Sequence, residues 1–201
     1  SDSHITFGAA TMATADLLET VTVSAGGGGV TADDSDITVG AIGATVAAGV
    51  LANMTITAAD GADVTMGAID AEGASMTKLE ANANTTGSVI TFGTIGVSTT
   101  QITSIGEINL SAVSGATVDL EGHVYATTIG TITASGAGTI NMDATTSVIT
   151  TIEQYNAAST SGTTNVDFTS ATVAITASLG TGTNSYVAGV GGDVVTLTSG
   201  S

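Results

Sequence analysis

The chain has 201 residues, 42% of them hydrophobic, and carries 18 Asp and Glu against a single Lys and no Arg, for a net charge of −17. That apolar content excludes a disordered polyanion, and the missing cations exclude nucleic acid and anionic membrane surfaces as partners, leaving divalent cations and cationic polymers. With no Cys there are no disulfides or thiolate metal sites, and no apolar run is long enough to insert in a bilayer.

The opening Ser1-Asp2-Ser3-His4 has neither the basic nor the apolar segment of a secretion signal. Ile5-Thr6-Phe7 then begins a three-residue unit, aliphatic, polar, larger apolar, that recurs along the chain. Further copies are Ile37-Thr38-Val39, Val64-Thr65-Met66, Ile90-Thr91-Phe92, Val118-Asp119-Leu120, Ile140-Asn141-Met142, Val166-Asp167-Phe168 and Val195-Thr196-Leu197. Their first residues lie 32, 27, 26, 28, 22, 26 and 29 apart. The first four copies continue into Gly and, two residues later, Ala or Ile. Period-two alternation sends the outer residues of each unit to one face and the middle residue to the other. The middle residues, Thr6 through Asp119, Asn141, Asp167 and Thr196, then form an outward column.

A second, weaker pattern follows the units: Leu18-x-x-Val21-x-Val23, Leu51-x-x-Met54-x-Ile56 and Ile105-x-x-Ile108-x-Leu110, with echoes at Ile129/Ile132 and Ile149/Ile152. Clusters of Gly, Ala, Ser, Thr, Asp and Asn between the patterns are turn chemistry, as at Ala58–Ala62, Asn82–Ser88 and Ser114–Ala116. Thr14–Glu19 and Ser75–Ala83 are the stretches able to form a helical turn.

A period near 26 residues holds about three short strands and their turns, one coil of a right-handed parallel β-helix (β-solenoid). About eight rungs at ~4.8 Å make a rod roughly 35 Å long. No coil buries its apolar face alone, so each depends on its neighbours. The absence of Pro fits strands that must all donate ladder hydrogen bonds. The competing architecture is an antiparallel β-sandwich, which does not explain one signature repeated in phase. Residues 1–201 read as one solenoid domain, either a fragment or a repeating subunit of a larger surface assembly. No sequence feature caps the raw strand edge expected at either end.

Five acidic residues are candidate metal ligands: Asp33, Asp34, Asp36, Asp60 and Asp63. Asp33 and Asp60, like Asp36 and Asp63, are separated by 27 residues, one coil, so carboxylates would stack on adjacent rungs. Such pairs repel unless protonated or bridged, and calcium with its six to eight oxygen ligands is the matching bridge. The plain alternative is a solvated acidic turn. Asp119, Asn141 and Asp167 read as an Asn/Asp ladder. Gly61-Ala62-Asp63-Val64 and Gly191-Gly192-Asp193-Val194 echo fragments of the calcium-binding nonapeptide. His4 and His123 have no partner at ligand or triad spacing, Lys78 alone cannot form a basic patch, and Tyr125, Tyr155 and Tyr186 are too few for a sugar-stacking groove.

The run Ile102-Thr103-Ser104-Ile105-Gly106-Glu107-Ile108-Asn109-Leu110-Ser111-Ala112-Val113-Ser114-Gly115-Ala116-Thr117-Val118-Asp119-Leu120 resembles repeats of bacterial S-layer and RTX-associated large surface-adhesin proteins, as does the Thr/Ala/Gly/Ser/Val bias. The resemblance implies an extracellular, calcium-dependent β-solenoid that assembles with copies of itself on the cell surface. The chain lacks the family's tandem nonapeptides, so no site residue is carried over. The expected function is a non-enzymatic structural module: S-layer, filament or adhesin stalk. A polysaccharide-active or polysaccharide-binding β-helix is the alternative, although Lys78 is the one side chain available as a lyase base. The third is ice binding through the Thr-x-Thr pairs at Thr20, Thr55 and Thr131.

Overall fold

Successive coils of the chain lie on one another in the computed structural model, which describes residues 3–12, 17–26, 35–44, 50–71, 75–96, 101–120, 122, 124–143 and 149–198. Among the described residues there is no helix, and every strand pairing is parallel. The first rung comprises β1 (Ser3–Phe7), β2 (Ala10–Met12) and β3 (Leu17–Ala25). The second comprises β4 (Ser35–Val39), β5 (Ile42–Ala44) and β6 (Val50–Ala58), and the third β7 (Asp63–Met66), β8 (Ile69–Ala71) and β9 (Ser75–Ala83). Among the described residues, rungs four to eight each contain two strands: β10 (Val89–Phe92) and β11 (Ile102–Ala112), β12 (Thr117–Leu120) and β13 (Ala126–Gly136), β14 (Thr139–Asp143) and β15 (Ile149–Thr160), β16 (Thr163–Asp167) and β17 (Thr176–Leu179), β18 (Thr183–Val187) and β19 (Val194–Leu197).

The first strand of each rung joins an 8-stranded sheet, the last strand a second 8-stranded sheet, and β2, β5 and β8 form a short third wall. Isolated bridges Ile69–Ile95 and Ile95–Val124 carry that wall two rungs further. This is the parallel β-helix that the periodicity predicts, with β1 at one edge of the first sheet and β18 at the other.

Alternation of β-branched and polar residues explains the packing. In the first sheet Ile37, Val64, Ile90, Val118 and Ile140 stack in register, as do Val39, Met66 and Phe92, and all are buried. In the second sheet Met54, Leu79, Ile108, Ile132 and Tyr155 form one buried column, and Ile56, Ala81, Leu110 and Ala134 another. Each large aliphatic side chain removed from water in this way contributes about 1.5–3 kcal/mol.

The Gly that follows the early units has a steric cause. A Cβ at Gly67 would sit 2.8 Å from both the Ala41 nitrogen and the Gly40 carbonyl carbon. The Gly67 nitrogen donates to the Val39 oxygen at 2.7 Å, and the Gly93 nitrogen to the Met66 oxygen at 2.8 Å. The corner from the first sheet to the third wall stacks backbone directly on backbone, so the next Ile, Ile42 or Ile69, turns inward.

Several placements differ from the expectation. In the seventh rung Thr164-Asn165-Val166, not Val166-Asp167-Phe168, pairs with Ile140-Asn141-Met142. The outward column therefore runs Asp119, Asn141, Asn165 and Ser185, with Asp167 beside it. The eighth unit, Val195-Thr196-Leu197, belongs to the second sheet, opposite Ala177-Ser178-Leu179. The echo at Ile149 is out of phase by one step: Ile149 pairs with Ala126, and Ile152 continues the Ile105–Ile129 column. Ser75–Ala83 is strand β9, its helical propensity overridden by pairing on both sides.

Candidate functional site

Of the five predicted metal ligands, Asp33 and Asp34 lie outside the described residues. Asp36 sits in β4 one residue before Ile37, and Asp63 opens β7 one residue before Val64. Because Ile37 pairs with Val64, the two carboxylates occupy one outward column on adjacent rungs, as the spacing predicts. The column is two acids tall: the backbone of Asp36 pairs with that of His4 on one side, and Asp63 with Val89 on the other. Asp36 is half-buried and Asp63 exposed.

Asp60 has a different task. It occupies the turn from β6 to β7 with φ 58°, followed by Gly61 at φ 80°. The Ala62 nitrogen closes the turn on the Ala59 oxygen at 3.1 Å. Two consecutive left-handed residues are the Asp-Gly signature of a tight turn, which explains the residue types without a ligand. The Gly61 nitrogen reaches the next rung, donating to the Thr85 hydroxyl at 3.1 Å and the Ser88 hydroxyl at 3.2 Å. Among the described residues no three acidic or His side chains converge.

The outward face of the first sheet holds an amide ladder. Asn141 Nδ2 donates to Asp119 Oδ2 at 3.2 Å, and Asn165 Nδ2 to Asn141 Oδ1 at 2.8 Å. Asp167 caps its own turn, accepting from the Thr169 nitrogen at 2.9 Å and from the Thr169 hydroxyl. A recess of about 290 Å³ lies over this ladder, lined by Asn141, Asn165, Asp167 and Ser185 among others, with no aromatic side chain in its lining.

The outward face of the second sheet holds Lys78. Its Nζ lies 2.5 Å from Glu80 Oε2, and Asn82 Nδ2 donates to Glu80 Oε1 at 3.0 Å. The bond to Glu80 raises the Lys78 pKa, and the bonds from Lys78 and Asn82 lower that of Glu80. Glu107 pairs with Lys78 one rung on, so the lone cation is held between acids. The Thr-x-Thr pairs share this face but do not build a rank. Thr20 and Thr22 continue into Asn53 and Thr55, then into Lys78 and Glu80, and Thr131 and Thr133 follow Glu107 and Asn109.

The nonapeptide echo at Asp193 is a structural staple. Asp193 Oδ1 accepts from the Ile175 nitrogen at 2.9 Å, and Oδ2 accepts from the Tyr186 hydroxyl at 2.8 Å. Tyr186, Tyr155 and Phe168 form an aromatic triad with ring centroids 5.5 to 6.2 Å apart. Burial raises the Tyr155 phenol to about 12, and burial with the Asp193 contact raises Tyr186. Sequence spacing missed this cluster because its members sit on three different rungs and follow no repeat. His123 lies outside the described residues.

Inward-facing positions are uncovered at both ends of the stack. In β1, Ile5 is 48% and Phe7 54% exposed, although Ile37 and Val39, their partners one rung in, are buried. In β19, Val195 is 43% and Leu197 72% exposed above buried Ala177 and Leu179. Of the four strands at the edges of the two large sheets, β1, β18 and β19 contain no acidic residue and β3 contains one, Glu19. No protein-family model matches the chain, and neither a curated protein nor a solved structure matches it.

Proposed function

We propose that the chain is a structural module of the cell exterior, of the S-layer, filament or adhesin-stalk kind, whose copies assemble through their open solenoid ends. The observation that carries this reading is the exposure of Ile5, Phe7, Val195 and Leu197 at positions that are core in the interior rungs. An uncovered parallel rung offers both apolar side chains and unpaired backbone groups to a further strand. The edge strands at the ends are also poor in charge for a chain of net charge −17, since β1, β3, β18 and β19 carry one carboxylate between them, that of Glu19. Calcium supports assembly in this reading by screening that charge and by bridging outward carboxylates such as Asp36 and Asp63. The recess over the amide ladder and the interrupted Thr face favour neither glycan turnover nor ice binding.

Electron microscopy and sedimentation in millimolar calcium and in chelator test the proposal. The expected result is rods or sheets in calcium and smaller species in chelator. Phe7→Lys and Leu197→Lys place charge on the open ends, and each is expected to block growth while leaving the melting temperature of the subunit nearly unchanged. A monomer under all conditions, or growth unaffected by both substitutions, discards end stacking. Growth unaffected by chelator discards the role of calcium.

A further inference from the structure

We infer that Asn84 is an N-glycosylation site, taking an oligosaccharide from a lipid-linked (pyro)phosphate donor. The inference rests on the extracytoplasmic placement proposed above, though not on end stacking. Three Asn-x-Ser/Thr acceptor tripeptides occur: Asn53-Met54-Thr55, Asn84-Thr85-Thr86 and Asn109-Leu110-Ser111. All three are carried on the second sheet or its turn, in rungs two, three and four.

The structure separates them. Asn53 lies inside β6, paired with Thr20 and Lys78 on its two sides, and the middle residue Met54 is fully buried. Asn109 lies inside β11, where its Nδ2 donates to Glu107 Oε2 at 3.3 Å and Leu110 is buried. Both amides are half-buried in a sheet face that a transferase would have to open. Asn84 stands just past the end of β9, in the turn before β10, and is exposed. Its backbone nitrogen is held by the Ala58 oxygen at 2.8 Å, whereas its side chain makes no hydrogen bond among the described residues.

The same turn carries the third residue of the tripeptide. In the folded chain the Thr86 hydroxyl donates to the Ser114 oxygen at 2.9 Å, a partner 28 residues further on. Both residues are exposed, so opening that one bond frees the hydroxyl that the transferase needs for recognition of the tripeptide, with no strand displaced. In the step, Asn84 Nδ2 forms a bond to the anomeric carbon of the donor while the anomeric C–O bond to the lipid (pyro)phosphate breaks. The lipid (pyro)phosphate leaves with the bonding pair, and the amide proton passes to a base of the transferase. The glycan then projects sideways from the corner between the two large sheets, clear of both ends.

Cleavage after Glu makes the test direct, because each tripeptide falls in its own peptide: residues 20–72, 81–107 and 108–121. Mass spectrometry of protein from the cells that make it is expected to show sugar increments on peptide 81–107. The increment is expected to vanish in Asn84→Gln and to persist in Thr86→Ser. An unmodified 81–107 peptide, an increment that survives Asn84→Gln, or equal modification of the 20–72 or 108–121 peptides overturns the inference. Microscopy of Asn84→Gln keeps the two proposals apart: polymers without the glycan leave end stacking standing, and a glycosylated chain that never assembles leaves the acceptor site standing.

Discussion

Replacing one buried Ile by Ala should cost very different amounts at the middle and at the end of this molecule. Ile108 is fully buried in rung four, with Leu79 stacked on one side and Ile132 on the other. Ile108→Ala removes contacts with both neighbours and leaves a cavity in a closed column, a loss of about 2–5 kcal/mol. Ile5 stacks on Ile37 alone and is 48% exposed. Ile5→Ala therefore forfeits contacts on one side, and about half of the side chain is already in water, so the loss is about 1 kcal/mol. For a chain of this size each kcal/mol moves the midpoint by roughly 2–4 °C. The expected shifts are then on the order of 5–15 °C for Ile108→Ala and under about 4 °C for Ile5→Ala, measured by circular dichroism in chelator. The interior lesion should also broaden the transition, because in a one-dimensional stack it uncouples the rungs on its two sides. Equal shifts for the two variants would refute nearest-neighbour stacking as the source of stability.

Lys78 is the single tryptic site and lies mid-strand between paired β6 and β11, so trypsin should cut the folded chain only on unfolding, giving fragments 1–78 and 79–201 by electrophoresis. Gly67→Ala should lower the melting temperature more than Gly61→Ala. The first forces a Cβ into backbone at 2.8 Å, while the second meets nothing within 4 Å and bears only the strain of φ 80°, about 1 kcal/mol. Asn141→Asp would set a second carboxylate where the amide now donates to Asp119, at a cost of about 1–2 kcal/mol near neutral pH. A carboxyl beside a carboxylate has its pKa raised in the folded state, so that variant should regain stability on acidification to about pH 4, as followed by thermal melting. Tyr155, raised to about 12, binds a proton in the folded state that the unfolded chain releases near 10. Its contribution is present below pH 10 and lost as the pH rises toward 12, and phenolate absorbance should appear together with alkaline unfolding.

The sequence carried the rung count, the core columns of the first six units and the adjacency of Asp36 with Asp63, because each follows from a repeat of one spacing. Asp60 was legible as a residue of interest but not in its role. Its value to the fold is a left-handed backbone, which an Asp-Gly pair signals as strongly as a ligand set does. The Tyr186–Asp193 bond and the aromatic triad lay beyond pattern reading, since they join single residues that do not recur. Each depends on where the turns of the last three coils place their strands.

The two misplaced units show what a period-two signal cannot decide. Val166-Asp167-Phe168 and Thr164-Asn165-Val166 differ by a slip of two residues, and a slip of two leaves every side chain on its original face. Val166 is buried in either register, as is Phe168, so burial alone favours neither. What decides is coil length: in-register partners Ile5–Ile37 and Ile37–Val64 are 32 and 27 residues apart, whereas Ile140–Thr164 and Thr164–Asn184 are 24 and 20 apart. The coils tighten along the axis, and a unit located by a fixed period of 26 overshoots in the seventh rung. In the eighth it lands on the wrong sheet, because both walls share the same alternation and Val195-Thr196-Leu197 satisfies either. Tightening also accounts for the change in core chemistry. The third-wall bridges among the described residues end at Val124, and further along the axis Tyr155, Phe168 and Tyr186 reach one another across the interior. Rings from three rungs thus fill, with three large side chains, the space that rows of aliphatic residues line on three sides in the wider coils.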